Sequence, residues 1–221
     1  MKKISNGKLL GLVPARGGSV AIPRKNVKKL RDKPLLWYTA ESARLAGIFD
    51  RLILTTDDNE IAAVGRTSGI EVPFLRPKRL ATSATPTLPV LIHALTVLKE
   101  SEGYVPEFTM ILQPTTPFRQ PFEMKEAFKI IKRTGADSVL GVGVIPEAHN
   151  PTRAMFKNQK GFLTLCNNDP VRKRKVRRQD LPESFFNTCS IYLFRTELLF
   201  GKNPNFFGST VAPYVMSERF I

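Results

Sequence analysis

Positions 14 to 26 concentrate the kinds of side chain that hold phosphate. Pro14-Ala15-Arg16-Gly17-Gly18-Ser19-Val20-Ala21-Ile22-Pro23-Arg24-Lys25-Asn26 brings two glycines, a serine and three basic residues directly after an apolar run. Glycines let backbone N–H groups approach phosphate oxygens, and Arg or Lys neutralises their charge. The spacing is neither a Walker loop nor a GxGxxG fingerprint. A plain surface loop with turn glycines has the same composition, and local chemistry leaves the two readings even.

Other residues could do chemistry and have a blander reading beside it. Asp57-Asp58 could be a metal pair, but a helix N-cap accounts for both. His93 lies within the apolar run Leu91, Ile92, Ala94, Leu95 and reads as a packed residue rather than a ligand. His149 precedes Asn150-Pro151 in a turn from which it could approach a substrate. The run Arg172-Lys173-Arg174-Lys175-Val176-Arg177-Arg178 reads first as a solvated loop, with a nucleic-acid or nuclear-import patch as the alternative. Phe185-Phe186 and Phe206-Phe207 suit either core or a dimer contact.

These residues need a frame. Lys8 to Pro14 reads as a strand buried on both faces, and Arg51 to Thr56 as a second. Between them Leu35 to Leu45 has helical spacing and Gly47 marks its end. Asp57-Asp58-Asn59-Glu60 starts the next helix, with acids in its first turn. A short strand at 71–75, a helix at 88–99, a strand at 108–112, a helix at 122–133 and a strand at 138–144 follow. This alternation predicts an α/β fold in three layers, a mostly parallel sheet with helices on both faces. From Pro146 the pattern changes to a Gly-turned hairpin at 156–166 and a strand at 190–194. One domain over 1–221, with a β-rich insertion at about 146–190, is the economical organisation.

Composition bounds the function. The chain has 221 residues, with 42% hydrophobic and 24% charged, as in a globular protein able to bury its own core. No apolar run approaches the roughly 20 residues of a membrane span. The basic start Met1-Lys2-Lys3 leads into no cleavage site, so no signal peptide is expected. Cys166 and Cys189 match neither a zinc spacing nor a CxxC motif, which together with that favours a reducing cytoplasm. The net charge of +15, from 34 Lys+Arg against 19 Asp+Glu, attracts polyanions or small anionic substrates. Nucleic acid is not the expected partner, because no RNP, zinc-finger or helix-turn-helix signature is present.

The loop at 14–26 resembles the signature A-R-G-G-S-K-G-I-P-x-K-N of acylneuraminate cytidylyltransferases, the CMP-sialic acid synthetases. Ala15, Arg16, Gly17, Gly18, Ser19, Ile22, Pro23, Lys25 and Asn26 match it. Thr55-Thr56-Asp57-Asp58, Leu75-Arg76-Pro77 with Leu80-Ala81, and Leu112-Gln113-Pro114-Thr115-Thr116-Pro117-Phe118-Arg119 resemble further family segments, in the family's order. So do Arg178-Gln179-Asp180-Leu181-Pro182 and the later Asn187 and Tyr192.

The resemblance implies a Rossmann-like fold of the nucleotide-diphospho-sugar transferase type. It implies transfer of CMP from CTP to the anomeric hydroxyl of a sialic-acid-like 2-keto-3-deoxy sugar acid, with release of pyrophosphate. Arg16, Lys25 and Gln113 would be catalytic. Ala15, Arg16, Gly17, Ser19, Lys25, Asn26, Arg76 and Thr87 would bind nucleotide, and Gln113, Arg178 and Tyr192 the sugar. A homodimer is implied, and nuclear import is open for a basic run in animal members. Mg²⁺ is the implied cofactor. Its ligands would come from an acidic I-D-I-D-x-x-x-D segment following Ile221, so none is expected within these residues. Val20-Ala21 stand where the family has Lys-Gly, Ser83 where aspartate is common, and Thr188 where glycine follows the asparagine. Loss of that lysine makes a homologue that binds nucleotide or sugar without efficient turnover the alternative.

Overall fold

The computed structural model describes residues 7–19 and 22–217. Val20, Ala21 and the last four residues, on which two of the departures above fall, lie outside the described residues, as does the side chain of Arg178. In chain order the elements are β1 (Leu9–Pro14), β2 (Lys29–Leu30), β3 (Lys33–Pro34), α1 (Leu35–Ala46), β4 (Arg51–Thr55), α2 (Asn59–Thr67) and α3 (Thr87–Glu102). Then come β5 (Phe108–Ile111), α4 (Pro121–Thr134), β6 (Ser138–Val144), β7 (Met155–Lys157), β8 (Leu163–Leu165), β9 (Phe185–Arg195) and β10 (Val211–Val215). Short 3-10 turns join several of them.

The main sheet has the order β10-β6-β9-β5-β1-β4. β1 pairs in parallel with β4 and β5, and β10 in parallel with β6. β9 alone runs the other way, antiparallel to both β5 and β6. Alternation along β1 explains the layers. Leu9 and Val13 join a core with α1 and α4, and Leu10 and Leu12 join another with Leu91, Leu95 and Leu98 of α3. Every one of these side chains is almost fully buried, as a strand covered on both faces requires. Gly47 ends α1 in the left-handed region, φ 59°, as its position predicts.

Two expectations change. The strand at 71–75 is reduced to a single parallel bridge between Ile53 and Glu71. Pro73 has no N–H to continue the ladder, and the chain turns toward Arg76 instead. The strand at 190–194 is longer, 185–195, and lies between β6 and β5 in the main sheet. The hairpin forms as β7–β8, and the rest of the segment between β6 and β9 is largely turns.

Candidate active site

At the carboxyl ends of β1 and β5 the sheet opens into a cavity of about 440 Å³. Pro14, Arg16, Ser19, Ile22, Lys25 and Asn26 form one wall; Arg76, Leu80, Thr82 and Thr85 another; Thr87 and Val90 of α3 and Gln113 to Thr115 the rest. Ligands of open α/β sheets bind at this edge, where loops leave the strands.

The loop after β1 is tied down from behind. Ala15 N donates to Thr55 O at 3.1 Å, extending the parallel ladder by one bond. Buried Asn26 donates from Nδ2 to the Arg16 carbonyl at 3.0 Å, closing the loop on itself. Gly17 N donates to Asp57 Oδ1 at 3.1 Å. A Cβ on Gly17 would stand 2.7 Å from Asp58 Oδ2, so only glycine lets the loop approach this closely. Arg24, in a left-handed conformation at φ 57°, pairs with Asp58 at 2.7 Å and with Glu60. Asp58 also caps α2, accepting from Ile61 N at 3.0 Å. Capping therefore accounts for Asp58 only, and Asp57 holds the loop. Among the described residues no group of three or more His, Cys, Asp or Glu is placed to hold a metal ion.

The cavity is electropositive. Arg16 is held across it by Nη1 donating to Thr82 O at 2.7 Å. Arg76 N donates to Thr56 O at 2.7 Å, which fixes its backbone at the end of β4. Its guanidinium is buried, with Nη2 3.8 Å from Asp57 Oδ1 and neither Nε nor Nη2 hydrogen-bonded. Burial holds the Arg76 pKa below the usual arginine range, opposed by Asp57 and reinforced by Arg16. Lys25 is half-buried at the same wall. α3 begins at Thr87 with no side chain capping it, and Thr87 and Val90 line the cavity, so the positive end of its dipole lies at the cavity wall.

Residues 10–219 match the family model for cytidylyltransferases. The chain belongs to the cytidylyltransferase family. It is 30% identical over 176 residues, 75% of this chain and 74% of the relative, to a CMP-N,N'-diacetyllegionaminic acid synthase of Legionella pneumophila. It is 30% identical over 186 residues, 84% of this chain and 77% of the relative, to a pseudaminic acid cytidylyltransferase of Campylobacter jejuni. Among solved structures, CMP:2-keto-3-deoxy-manno-octonic acid synthetase complexed with CTP superposes with a TM-score of 0.69 at 14% identity, covering 95% of this chain and 90% of the other. That last likeness carries the nucleotidyltransferase fold.

In this cytidylyltransferase seven expected site residues line one cavity: Arg16, Ser19, Lys25, Asn26, Arg76, Thr87 and Gln113. Ala15 and Gly17 stand behind it, holding the loop through their backbone N–H groups. Tyr192 does not line it: the hydroxyl bonds Asn187 Nδ2 at 2.8 Å and Cys189 Sγ at 3.3 Å, and the ring packs edge-on to Phe206. Arg178 belongs to a 3-10 turn at 178–180. Thr188 donates to Gly141 O at 2.9 Å, and the left-handed turn falls on Cys189, φ 59°.

Leu80, Thr82 and Thr85 also line the cavity, and only the neighbouring Leu75-Arg76-Pro77 with Leu80-Ala81 points to them in the sequence. His93 packs edge-on to Phe74 outside the cavity, and His149 is exposed outside it. Arg172 to Arg177 are exposed. Phe206 packs on the α3-side core, while Phe185, Phe186 and Phe207 are partly exposed. No helix among the described residues is long and apolar enough to cross a membrane.

Proposed function

We propose that this cytidylyltransferase moves CMP from CTP onto the anomeric hydroxyl of a sialic-acid-like 2-keto-3-deoxy sugar acid. The hydroxyl oxygen bonds to the α-phosphorus as the bond from that phosphorus to the bridging oxygen breaks. Pyrophosphate leaves, and the hydroxyl proton is released. The observation that carries this reading is the Arg76 guanidinium, buried without a hydrogen-bond partner at Nε or Nη2, in a cavity that also holds Arg16 and Lys25. A buried cation so placed is stabilised when an anionic ligand arrives.

Arg16 and Lys25, on the loop after β1, suit the triphosphate; a guanidinium can grip it bidentately and lysine acts as a point charge. Phosphoryl transfer depends chiefly on positioning and charge stabilisation, which such a set can provide. Arg76 and Thr87 suit the nucleotide beside α3, and Gln113 faces the same space from the end of β5. Mg²⁺ is the expected cofactor; of the two carboxylates against the loop, Asp57 already accepts from Gly17 and faces Arg76, and Asp58 pairs with Arg24 and caps α2. No step here is assigned to the metal.

A homodimer fits the exposed apolar side chains of the β7–β8 hairpin, Phe156 on one face and Leu163 on the other, 60% and 58% exposed, with Phe162 between the strands 69% exposed. Sedimentation velocity should show a dimer that Phe156→Glu with Leu163→Glu dissociates; a monomer in both would remove this part of the reading. Binding without efficient turnover is the second reading, favoured by Val20 in the place of a family lysine. Pyrophosphate release separates the two. CTP with neuraminic, legionaminic, pseudaminic or shorter ulosonic acids should release it, and CTP alone should not. CTP binding with no release for any acid would support the second reading.

A further inference from the structure

β5 and β9 are paired from Phe108 opposite Arg195 to Ile111 opposite Tyr192. Two residues further along the same register, Gln113 would face Ser190. No ladder bond forms there. Leu112 N still donates to Leu12 O of β1 at 2.9 Å, but the chain then leaves β9, and Gln113 enters the cavity wall. Where the pairing stops, the Gln113 and Ser190 carbonyls lack the rung that the register would have supplied.

Arg119 fills that gap. Its Nε donates to Ser190 O at 2.7 Å and its Nη2 to Gln113 O at 3.2 Å. The side chain is buried, with Arg119 3% exposed. The residue is held at its other end as well: Ser42 Oγ of α1 donates to the Arg119 carbonyl at 2.6 Å. Glu123, in the first turn of α4, is buried too; its Oε2 accepts from Gln120 N at 2.8 Å, and its charge acts on Arg119. Burial lowers the Arg119 pKa to about 10, which leaves it protonated at neutral pH. A planar fork with fixed donor directions can bridge two carbonyls; a single ammonium cannot reproduce that geometry.

We propose that Arg119 is a positioning residue: its guanidinium supplies the rung that β5 and β9 lack between Gln113 and Ser190, and so fixes the Gln113 side chain against the sugar acid. This rests on the reaction proposed above. Arg119 touches no substrate; it acts through the backbone of Gln113. It also couples that backbone to β9, whose register with β6 shifts between Leu140 and Val142 at the same level.

Arg119→Lys keeps the buried cation opposite Glu123 and loses the fork, so it is the informative variant; Arg119→Met is the stronger change. In Arg119→Lys, kcat/KM for the sugar acid should fall about tenfold or more, the equivalent of one charge-assisted hydrogen bond, while CTP affinity by calorimetry stays within about threefold. Gln113→Ala should be costly in the parent and nearly silent in Arg119→Lys, the non-additivity expected of two residues acting as one unit. A role in folding alone would instead lower CTP binding and thermal midpoint together and leave Gln113→Ala equally costly in both backgrounds. Either that additivity or parent-like kcat/KM in Arg119→Lys would overturn the proposal.

Hydrogen exchange provides a readout independent of turnover. Amides of 113–119 should exchange about tenfold faster in Arg119→Lys, with 14–19 unchanged. Unchanged exchange over 113–119 would also overturn the proposal. A parent chain that makes no product with any acid would instead overturn the reaction, and the exchange result would still decide whether Arg119 holds the loop.

Discussion

Arg51 and Arg76 lie at opposite ends of the same sheet and are treated in opposite ways. Arg51 opens β4, donates from Nη2 to Glu71 and from Nη1 to Glu102 at 2.5 Å each, and lies 5.0 Å from the Tyr104 ring centre. The hydrogen bond to Glu71 leads the effects that raise its pKa above the arginine norm. Arg76, beyond the other end of β4, is the more deeply buried of the two, yet its nearest carboxylate oxygen is 3.8 Å away and burial depresses its pKa. A fold shaped only by stability would pair the buried cation first. At the amino-terminal end of the sheet the arginine is therefore paired with carboxylates of the fold itself. At the carboxyl-terminal end the buried Arg76 is left without such a partner, beside the cavity that Arg16 and Lys25 also line.

The largest effect should come from removing the ready charge. Arg76→Ala and Lys25→Ala should each weaken CTP binding about 10- to 100-fold, the range for loss of one charge-assisted contact of roughly 1.5–3 kcal/mol. Calorimetry measures this, and the thermal midpoint of Arg76→Ala should match or exceed the parent's, because a poorly satisfied buried cation is lost. A midpoint several degrees lower with intact CTP affinity would make Arg76 structural like Arg51.

Next in size is the loop's support. Gly17→Ala adds a Cβ 2.7 Å from Asp58 Oδ2, so the loop must back away from α2. CTP affinity should fall about tenfold, as when a positioned charge is displaced. Unchanged affinity would show that the contact with Asp57 and Asp58 does not set the loop.

Arg51→Ala should do the reverse of Arg76→Ala. It should lower stability by about 1 kcal/mol, as for partly exposed ion pairs, and leave CTP affinity unaltered. Chemical denaturation and calorimetry check both halves.

The smallest effect concerns acid. Asp137 accepts from Ser209 N, Ser209 Oγ and Thr210 N, which lowers its pKa from 3.8 to about 2. A carboxylate with a depressed folded pKa stabilises fully above its unfolded value, and that contribution is lost as pH falls through the folded one. Asp137→Asn should therefore flatten the stability profile between roughly pH 4 and pH 2. A parent-like slope there would show that β10 does not depend on this anchor.

The two ends of the sheet also differ in how far sequence exposes them. The loop at 14–26 is legible because glycines and basic residues cluster directly after an apolar strand, and six of its residues line the cavity. Ala15 and Gly17 are part of the same motif for another reason: their N–H groups and small size hold the loop, which a motif cannot distinguish from ligand contact. The segment 71–75, with Val72, Phe74 and Leu75, reads as a short strand, but Pro73 ends the pairing after one bridge. Tyr192 is in the right strand, and its place beside Asn187 and Phe206 depends on β9 running antiparallel between β5 and β6, which no local pattern encodes. Arg119 was visible only as the last letter of a motif. Its partners, Gln113 and Ser190, are separated in sequence and meet only when the register is set. Buried networks of this sort follow from topology, and topology follows from contacts far apart along the chain.

Cleavage of CTP at its α-phosphorus in the cation-lined cavity, the reaction proposed above, has a direct signature. ³¹P nuclear magnetic resonance of CTP incubated with the chain, Mg²⁺ and the sugar acid that releases the most pyrophosphate tests it most directly. A new phosphodiester signal from a CMP-sugar should rise together with free pyrophosphate, one for one, and both should be lost in Arg76→Ala. Release of inorganic phosphate with CDP would place cleavage at the γ-phosphorus and contradict the account, and so would CMP-sugar formation at the parent rate in Arg76→Ala.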